Sequence, residues 1–190
     1  FGRISPTRAD HVREELGDAV DRILDGEPSH PPCQVGLEST IVDLSLAGRV
    51  RLLRPGMITG EAIGAALGGP VERPVLAGNA AHPTEAPGTL ASHYAPNARV
   101  VLLRTEAFPP DADGDGAHLL LEGSPLRPVN VDRTLYLPNE PHAYAQGLYD
   151  ALRRLDAPGV RTIRVERPPG RDPAWDAVLD RLRRASASRD

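Results

Sequence analysis

The 190-residue chain is predicted to be an α/β protein, built from two α/β units joined by an extended segment. Short apolar runs rich in β-branched residues alternate along it with stretches whose apolar residues recur at helical spacing. Residues 70–97 interrupt this pattern, since they are rich in Pro, Gly and Ala and have little periodicity, as is typical of a linker or a functional loop. We therefore expect domains at residues 1–69 and 98–190, with residues 70–97 as the linker between them.

The first unit is predicted to begin with a helix. Ser5 or Thr7 is suited to cap its N-terminus, and Gly17 is suited to end it. The Ile23-Leu24 pair is predicted to form a short strand that runs into a turn, before a proline-rich loop at residues 27–32.

An antiparallel hairpin is predicted next. Residues 39–44 and 50–53 are apolar, β-branched runs on either side of a Leu-Ala-Gly-Arg turn. The Arg54-Pro55-Gly56 sequence ends the second strand, and Thr59 is a suitable cap for a short helix over residues 61–67.

The second unit is predicted to alternate strands with two longer helices. Apolar stretches predict strands at residues 100–103, 119–121, 134–137 and 161–165. Two stripes at helical spacing predict the helices, with Asn139 as the cap of the first. The stripes are Tyr144, Leu148, Ala151, Leu152 and Leu155, followed by Trp175, Val178, Leu179 and Leu182.

Three arginines lie on the last predicted helix. We interpret Arg181, Arg183 and Arg184 as a solvated helix face rather than as a phosphate-binding patch. The small, polar tail at residues 185–190 is expected to fray.

Composition and charge exclude several classes of protein. The chain is 40% hydrophobic and 25% charged, which is typical of globular proteins, and its formal net charge is −4. An acidic balance argues against a broad nucleic-acid-binding surface, while a local basic pocket for a small anion stays possible. No stretch approaches the roughly 20 apolar residues of a membrane helix. The single Cys33 cannot form an internal disulfide and is interpreted as a loop residue, so we expect a cytoplasmic protein.

Two stretches of the first unit carry short hydroxyl side chains in positions suited to a ligand. At the Ser5-Pro6-Thr7 helix start, backbone N–H groups can bind an anion, although capping alone would explain these residues. In VGLESTIVDL, Ser39 and Thr40 either hydrogen-bond within the hairpin or face a ligand, and Glu38 is either a structural carboxylate or a base.

Two further stretches carry an arginine and a histidine. Pro55 and Gly56 form a rigid reversal after Arg54, which suits fork-like recognition of a phosphate or carboxylate, with a surface ion pair as the alternative. His93 and Tyr94 indicate that the linker docks, and His93 alone could be a structural anchor. The other histidines show no metal-ligand spacing.

Taken in order, the motifs GRISPT, ILDG, VGLESTIVDL, LLRPGMIT and APGTLASHYAP, followed by AYAQGLYDALRRLD and IRVERPP, resemble the threonylcarbamoyl-AMP synthase family. The likeness is to its long form. It implies that residues 1–69 are the C-terminal half of a YrdC-like twisted-sheet α/β domain, and that residues 70–97 are a linker docking over the active site. Residues 98–190 would then form a small Rossmann-like α/β domain.

Two departures from the family pattern matter. In relatives, the stretch before GRISPT is a Ser-Ala-Asn segment and a basic half-domain around the triphosphate. The chain is therefore expected to be the C-terminal portion of a synthase and inactive alone. The loop at residues 27–32 is also longer and richer in proline than the Asp-Gly-Gly-Pro-Cys passage of relatives.

The resemblance implies an activity and a set of site residues. Such enzymes join L-threonine, bicarbonate and ATP into threonylcarbamoyl-AMP and pyrophosphate, for a tRNA modification that other proteins complete. The implied ligands are ATP for Thr7, Arg54 and His93 and threonine for Ser39, with Ser5, Thr40 and Tyr94 as secondary candidates. No nucleophile is assigned, because positioning and charge neutralisation suffice, and Mg²⁺ is expected to bind mainly through the nucleotide.

Two alternatives stay open at this point. A YrdC-like carbamoyl-adenylating module of a carbamoyltransferase would use carbamoyl phosphate, but it is not expected to carry the SHYAP linker and the C-terminal domain. A non-catalytic nucleotide- or RNA-binding module is the other alternative. If the module binds RNA, its affinity should weaken steeply as the salt concentration rises. Our own expectation is that the chain does not bind nucleic acid stably.

Overall fold

The computed structural model describes the chain except for Phe1 and residues 27–33, 74–85, 89, 91, 110–115, 171 and 188–190. The predicted α/β class is confirmed. In order, the elements are α1 (Ala9–Leu16), β1 (Ile41–Asp43), β2 (Arg51–Arg54), α2 (Gly60–Leu67), β3 (Arg99–Leu103), β4 (Gly116–Leu121), β5 (Thr134–Leu137), α3 (Pro141–Leu155), β6 (Thr162–Glu166) and α4 (Asp176–Ser186). The predictions about Cys33 and the loop at residues 27–32 lie outside the described residues.

The first unit contains the predicted hairpin, in which β1 and β2 pair antiparallel with Val42 opposite Leu52. Backbone bonds of 2.8 Å link Leu52 N to Glu72 O and Glu72 N to Val50 O, so residues around Glu72 extend the sheet beside β2. The predicted cap of α2 is confirmed, because the Thr59 hydroxyl accepts a 3.1 Å hydrogen bond from Ala62 N.

The second unit is a parallel four-stranded sheet in the order β3-β6-β4-β5. Helix α3 packs against β4 and β5, and helix α4 packs against β3. Every residue of β4 is buried, as expected of an inner parallel strand that is covered on both faces. The predicted strands and both long helices are confirmed in this unit.

The hydrophobic core crosses from one unit to the other. Leu148 of α3 and Leu182 of α4 are fully buried. Ile4 and Leu37 of the first unit belong to the same buried cluster. Arg153 of α3 adds polar contacts, since it donates to Ile4 O at 2.5 Å and pairs with Glu15 at 2.5 Å. The first unit therefore packs directly on the helices of the second.

The N-cap residues predicted for helices α1 and α3 are both wrong. Arg8, not Ser5 or Thr7, is the N-cap residue of α1 and makes no side-chain capping bond. At α3, Glu140 replaces Asn139, because its carboxylate accepts from His142 N at 3.0 Å and Ala143 N at 2.7 Å. A carboxylate placed one residue nearer the helix reaches two of its unpaired N–H groups.

The predicted strand at Ile23-Leu24 is also wrong. This stretch is irregular, and the Leu24 side chain is 94% exposed. Among the described residues no strand pairs with this stretch, and two apolar residues do not specify a strand alone. At the other end of the chain, helix α4 continues to Ser186 and so includes part of the tail predicted to fray, while residues 188–190 lie outside the described part.

Within the described ranges, no helix has both the length and the apolar character needed to cross a membrane.

Replacing Leu148 by Ala is expected to reduce the free energy of unfolding by about 2–5 kcal/mol, because the fully buried side chain leaves a cavity. Val131→Ala is the control, since Val131 is 73% exposed, and its effect should stay within about 0.5 kcal/mol. Urea denaturation of both variants measures the difference. Equal effects would contradict the core described above.

Candidate functional site

The open end of the β1–β2 hairpin brings Ser39 and Arg54 together. Arg54 Nε donates to Ser39 O at 3.0 Å, and Arg54 Nη2 lies 3.3 Å from Ser39 Oγ. Gly56 permits this arrangement, because a Cβ there would collide with the backbone of Thr40. The Thr40 hydroxyl donates to Ile58 O at 2.7 Å, which closes the turn after β2.

Arg54 is a buried side chain, only 7% exposed, so a surface ion pair does not describe it. Its third contact runs to the linker, where Nη1 donates to Pro87 O at 3.0 Å. The guanidinium therefore connects the strand that carries Ser39 to the segment that follows the first unit.

Tyr94 anchors the described part of the linker. Its backbone is in the left-handed region, with φ of 61°, which costs a non-glycine residue about 1 kcal/mol or more. Its hydroxyl lies against Gly88, where any Cβ would clash with it. The chain on either side is also held, because His93 N donates to Arg184 O at 3.3 Å and Ala95 N to Gly2 O at 3.0 Å.

Glu38 is the hydrogen-bonding centre of the cluster. Ser5 Oγ donates to its Oε1 at 2.5 Å, while Tyr149 of α3 and Arg181 of α4 donate to its Oε2 at 2.9 and 3.0 Å. Burial would raise the pKa of Glu38, but the Ser5 hydrogen bond and the charge of Arg181 outweigh burial and hold the pKa below its usual value. Glu38 is therefore ionised at neutral pH and acts here as an acceptor.

Arg181 is fully buried, so the prediction that it lies on a solvated face is wrong. Besides Glu38 it binds Pro55 O at 2.9 Å and Asp180 Oδ2 at 2.8 Å. Its guanidinium also lies over the Tyr94 ring, 5.2 Å from the centroid. Arg183 is exposed as expected, whereas Arg184 is only partly exposed and pairs with Asp180 at 3.0 Å.

Thr7 lies at the start of α1, beside a buried histidine. Thr7 N donates to His11 Nδ1 at 3.1 Å, and its hydroxyl is 3.3 Å from the same nitrogen. Burial, with the charges of Arg153 and Arg8, lowers the pKa of His11, so the ring is neutral and its Nδ1 accepts. The backbone N–H of Thr7 is therefore engaged by the protein.

His93 is a half-buried side chain next to Tyr94. Its Nδ1 accepts from Tyr94 N at 3.0 Å. Burial lowers the pKa of His93 and outweighs the opposing effect of Glu38, so the imidazole is neutral at pH 7.

The structure thus joins most of the predicted site residues in one network. Ser39 touches Arg54 directly, Arg54 reaches the linker, and Ser5 connects through Glu38 and Arg181 to Tyr94. Thr7 follows Ser5 closely in sequence but bonds to α1, and His93 flanks Tyr94.

The sequence interpretation did not place Tyr149 or Arg181 in this network. It named Glu38, but not as the acceptor on which the network centres. A signal was present for Arg181. The sequence places the small residues Ala177 and Ala185 one turn before and after it, a spacing typical of a helix face in close contact with a neighbour, and the structure shows both to be buried. An arginine between them therefore has to find acceptors on that neighbour.

A concavity of about 420 Å³ lies elsewhere, at the carboxyl ends of the parallel strands. Its rim mixes charges of both signs, from Arg104, Arg167, Glu106 and Glu122. The buried Glu166 carboxylate already accepts from the Thr105 hydroxyl at 2.8 Å and Leu121 N at 3.0 Å. Since none of the predicted site residues lines it, the hairpin network is the better candidate site.

Over the part of the chain that the structure describes, no group of three or more His, Cys, Asp or Glu side chains is placed to hold a metal ion.

Two family models match the chain. Residues 58–187 match the model described as threonylcarbamoyl-AMP synthase, C-terminal domain. Residues 1–56 match a model described as telomere recombination.

Curated relatives named threonylcarbamoyl-AMP synthase align with nearly the whole chain. The protein of Pyrococcus abyssi is 32% identical over 99% of this chain and 56% of its own length. That of Bacillus subtilis is 29% identical over 99% and 55%, and that of Schizosaccharomyces pombe 30% over 97% and 50%. The chain spans about half the length of these relatives.

Two solved structures are also similar to the chain. The crystal structure of P. abyssi Sua5 complexed with L-threonine superposes with a TM-score of 0.77 at 29% identity, covering 97% of this chain and 55% of that one. A variant of that protein, with a consecutive histidine and tyrosine both replaced by alanine, gives a TM-score of 0.75 at 26% identity, covering 97% and 54%.

Replacing Glu38 by Gln is expected to lower stability at pH 7 by about 2 kcal/mol, because the charged hydrogen bond between its carboxylate and Arg181 is lost. The pKa of Glu38 is lowered in the folded protein, so its contribution is complete above the unfolded value of about 4.3 and is lost as pH falls through the folded value. The difference between wild type and Glu38→Gln should therefore shrink below about pH 4.

Thermal unfolding from pH 3 to pH 7 measures this effect. Glu61→Gln, at an exposed position of α2, is the matched control and should follow wild type throughout. If Glu38→Gln and wild type lose stability in parallel on acidification, the assigned role of the carboxylate is wrong.

Proposed function

Because the chain belongs to the threonylcarbamoyl-AMP synthase family, we propose that the protein containing it forms threonylcarbamoyl-AMP and pyrophosphate from L-threonine, bicarbonate and ATP. The observation that carries the proposal is the contact between the Ser39 hydroxyl and the Arg54 guanidinium, 3.3 Å apart, with the guanidinium also bonded to Pro87 O of the linker. A hydroxyl beside a rigid cation is suited to a polar amino acid next to a phosphate.

The reaction needs positioning and charge neutralisation more than a protein nucleophile. Bicarbonate and the threonine amine give a carbamate with loss of water. A carbamate oxygen then attacks the α-phosphorus of ATP, and the bond to the β-phosphate oxygen breaks to release pyrophosphate. Both reactants are anions, so a buried arginine lowers the barrier by balancing charge where water is excluded.

In this proposal Ser39 binds the threonine, and Thr7, Arg54 and His93 bind ATP. A neutral His93 donates or accepts a hydrogen bond without adding charge, which suits contact with the nucleotide's base or ribose. The secondary candidates Ser5, Thr40 and Tyr94 act through the protein, because their contacts run to Glu38, Ile58 O and Arg181.

We propose that further polypeptide completes the site. A two-stranded sheet is marginal alone, and many large apolar side chains of the first unit are exposed. They are Leu16, Leu24, Val35, Leu44, Leu46, Ile58 and Leu67. The basic residues expected around the triphosphate would come from that added part, so the 190-residue chain alone should lack synthase activity.

Mg²⁺ would be held through the nucleotide phosphates and would neutralise their charge. The product would pass to the proteins that transfer the threonylcarbamoyl group to tRNA, in the cytoplasm. A net charge of −4 is more consistent with a protein that releases a small-molecule product than with one that binds tRNA tightly.

The full-length protein should release pyrophosphate from ATP only when threonine and bicarbonate are both present. Omitting either substrate is the internal control, and replacing bicarbonate by carbamoyl phosphate tests the carbamoyltransferase alternative. Pyrophosphate release that does not depend on threonine would contradict the proposal. So would RNA binding whose affinity falls steeply with salt, in a protein that releases no pyrophosphate.

Replacing Arg54 by Lys in the full-length protein is expected to lower kcat/KM by about 10²–10³-fold, because the planar fork that holds Ser39 and is proposed to bind the phosphates is lost. Arg49→Lys is the matched control, since Arg49 lies in an exposed ion pair with Glu72 and should change the rate less than about twofold. Initial rates of pyrophosphate release, with thermal unfolding as a check on folding, measure both variants.

A further inference from the structure

Arg181 belongs to the second unit, yet its guanidinium lies among backbone and side-chain groups of the first. Nη1 donates to Pro55 O at 2.9 Å, Nε to Glu38 Oε2 at 3.0 Å, and Nη2 lies 3.4 Å from Glu38 O. None of the side chain is exposed to solvent.

These acceptors flank the two residues that carry the candidate site. Glu38 directly precedes Ser39, and Pro55 directly follows Arg54. One planar group therefore bridges the incoming end of one strand and the outgoing end of the other, where the hairpin register is irregular between Ile41 and Val42. A guanidinium has a fixed fork geometry, so it constrains the separation of the two strand ends.

The same guanidinium also holds the linker. The Tyr94 ring contacts both Arg181, whose guanidinium is 5.2 Å from its centroid, and the Tyr149 ring, stacked at 5.7 Å and 28°. Tyr94 in turn packs on Gly88, next to the Pro87 carbonyl that Arg54 binds. Displacing Arg181 would therefore disturb the linker and the strand ends together.

We propose that Arg181 is a positioning residue for the reaction. Through this side chain the second unit sets the separation of Ser39 and Arg54 and seats the linker at Tyr94. The inference rests on the proposed function for its kinetic consequence, whereas its structural consequence can be tested without it. A purely structural ion pair would instead add stability alone.

The kinetic test compares Arg181→Lys and Arg181→Met with Arg183→Met in the full-length protein. Arg183 is exposed on the same helix, so its variant should match wild type within about twofold. Arg181→Lys keeps the charge but cannot bridge all three acceptors, and its kcat should fall about 10- to 100-fold at a temperature well below unfolding. A lower melting temperature with unchanged kcat and KM would overturn the proposal.

Amide hydrogen exchange gives a readout that needs no activity. In Arg181→Met, exchange should rise at least about tenfold around residues 38–40, 56–58 and 92–95, while β4 and α3 stay protected as in Arg183→Met. Uniformly faster exchange, or none, would overturn the positioning role. If wild type itself shows no threonine-dependent turnover, the proposed function fails, and the exchange result still decides whether Arg181 sets this geometry.

Discussion

The ion pair between the buried Arg181 and the partly buried Glu38 is the contact that joins the helix α4, the strand ends and the linker. Taking two charges out of water is costly, and the cost is recovered only when geometry and further hydrogen bonds are good. Here Asp180 binds Arg181 at 2.8 Å and Arg184 binds Asp180 at 3.0 Å, so two carboxylates face two guanidiniums. These four side chains are thus balanced in charge, and losing Arg181 leaves Glu38 without its cationic partner.

The linker depends on this network for its conformation. Tyr94 keeps a positive φ of 61° because its ring, its hydroxyl and its backbone are each held by a different neighbour. Strain of this kind persists only where several contacts over-determine the backbone. The linker is therefore held in place by packing, and the residues that it packs against come from both units.

The contact between the two units combines an apolar core with charged side chains from α3 and α4. Apolar packing tolerates small shifts, whereas a bidentate or bridging arginine specifies distances and directions. In a reaction between two anionic substrates, alignment and local charge matter more than a nucleophile. An inter-unit contact made by arginines and carboxylates thus suits the chemistry proposed for the hairpin end.

Local pattern alone determined the hairpin, α2 with its Thr59 cap, the parallel strands and both long helices, because each depends on periodicity or turn chemistry within a few residues. It also singled out Ser39 and Arg54, since a short hydroxyl and a rigid Arg-Pro-Gly turn are local features. Only the tertiary structure decided that Arg181 is buried and that Glu38 is its acceptor. These residues are 143 positions apart, and a charged side chain on a helix is solvated unless a distant segment supplies its partner.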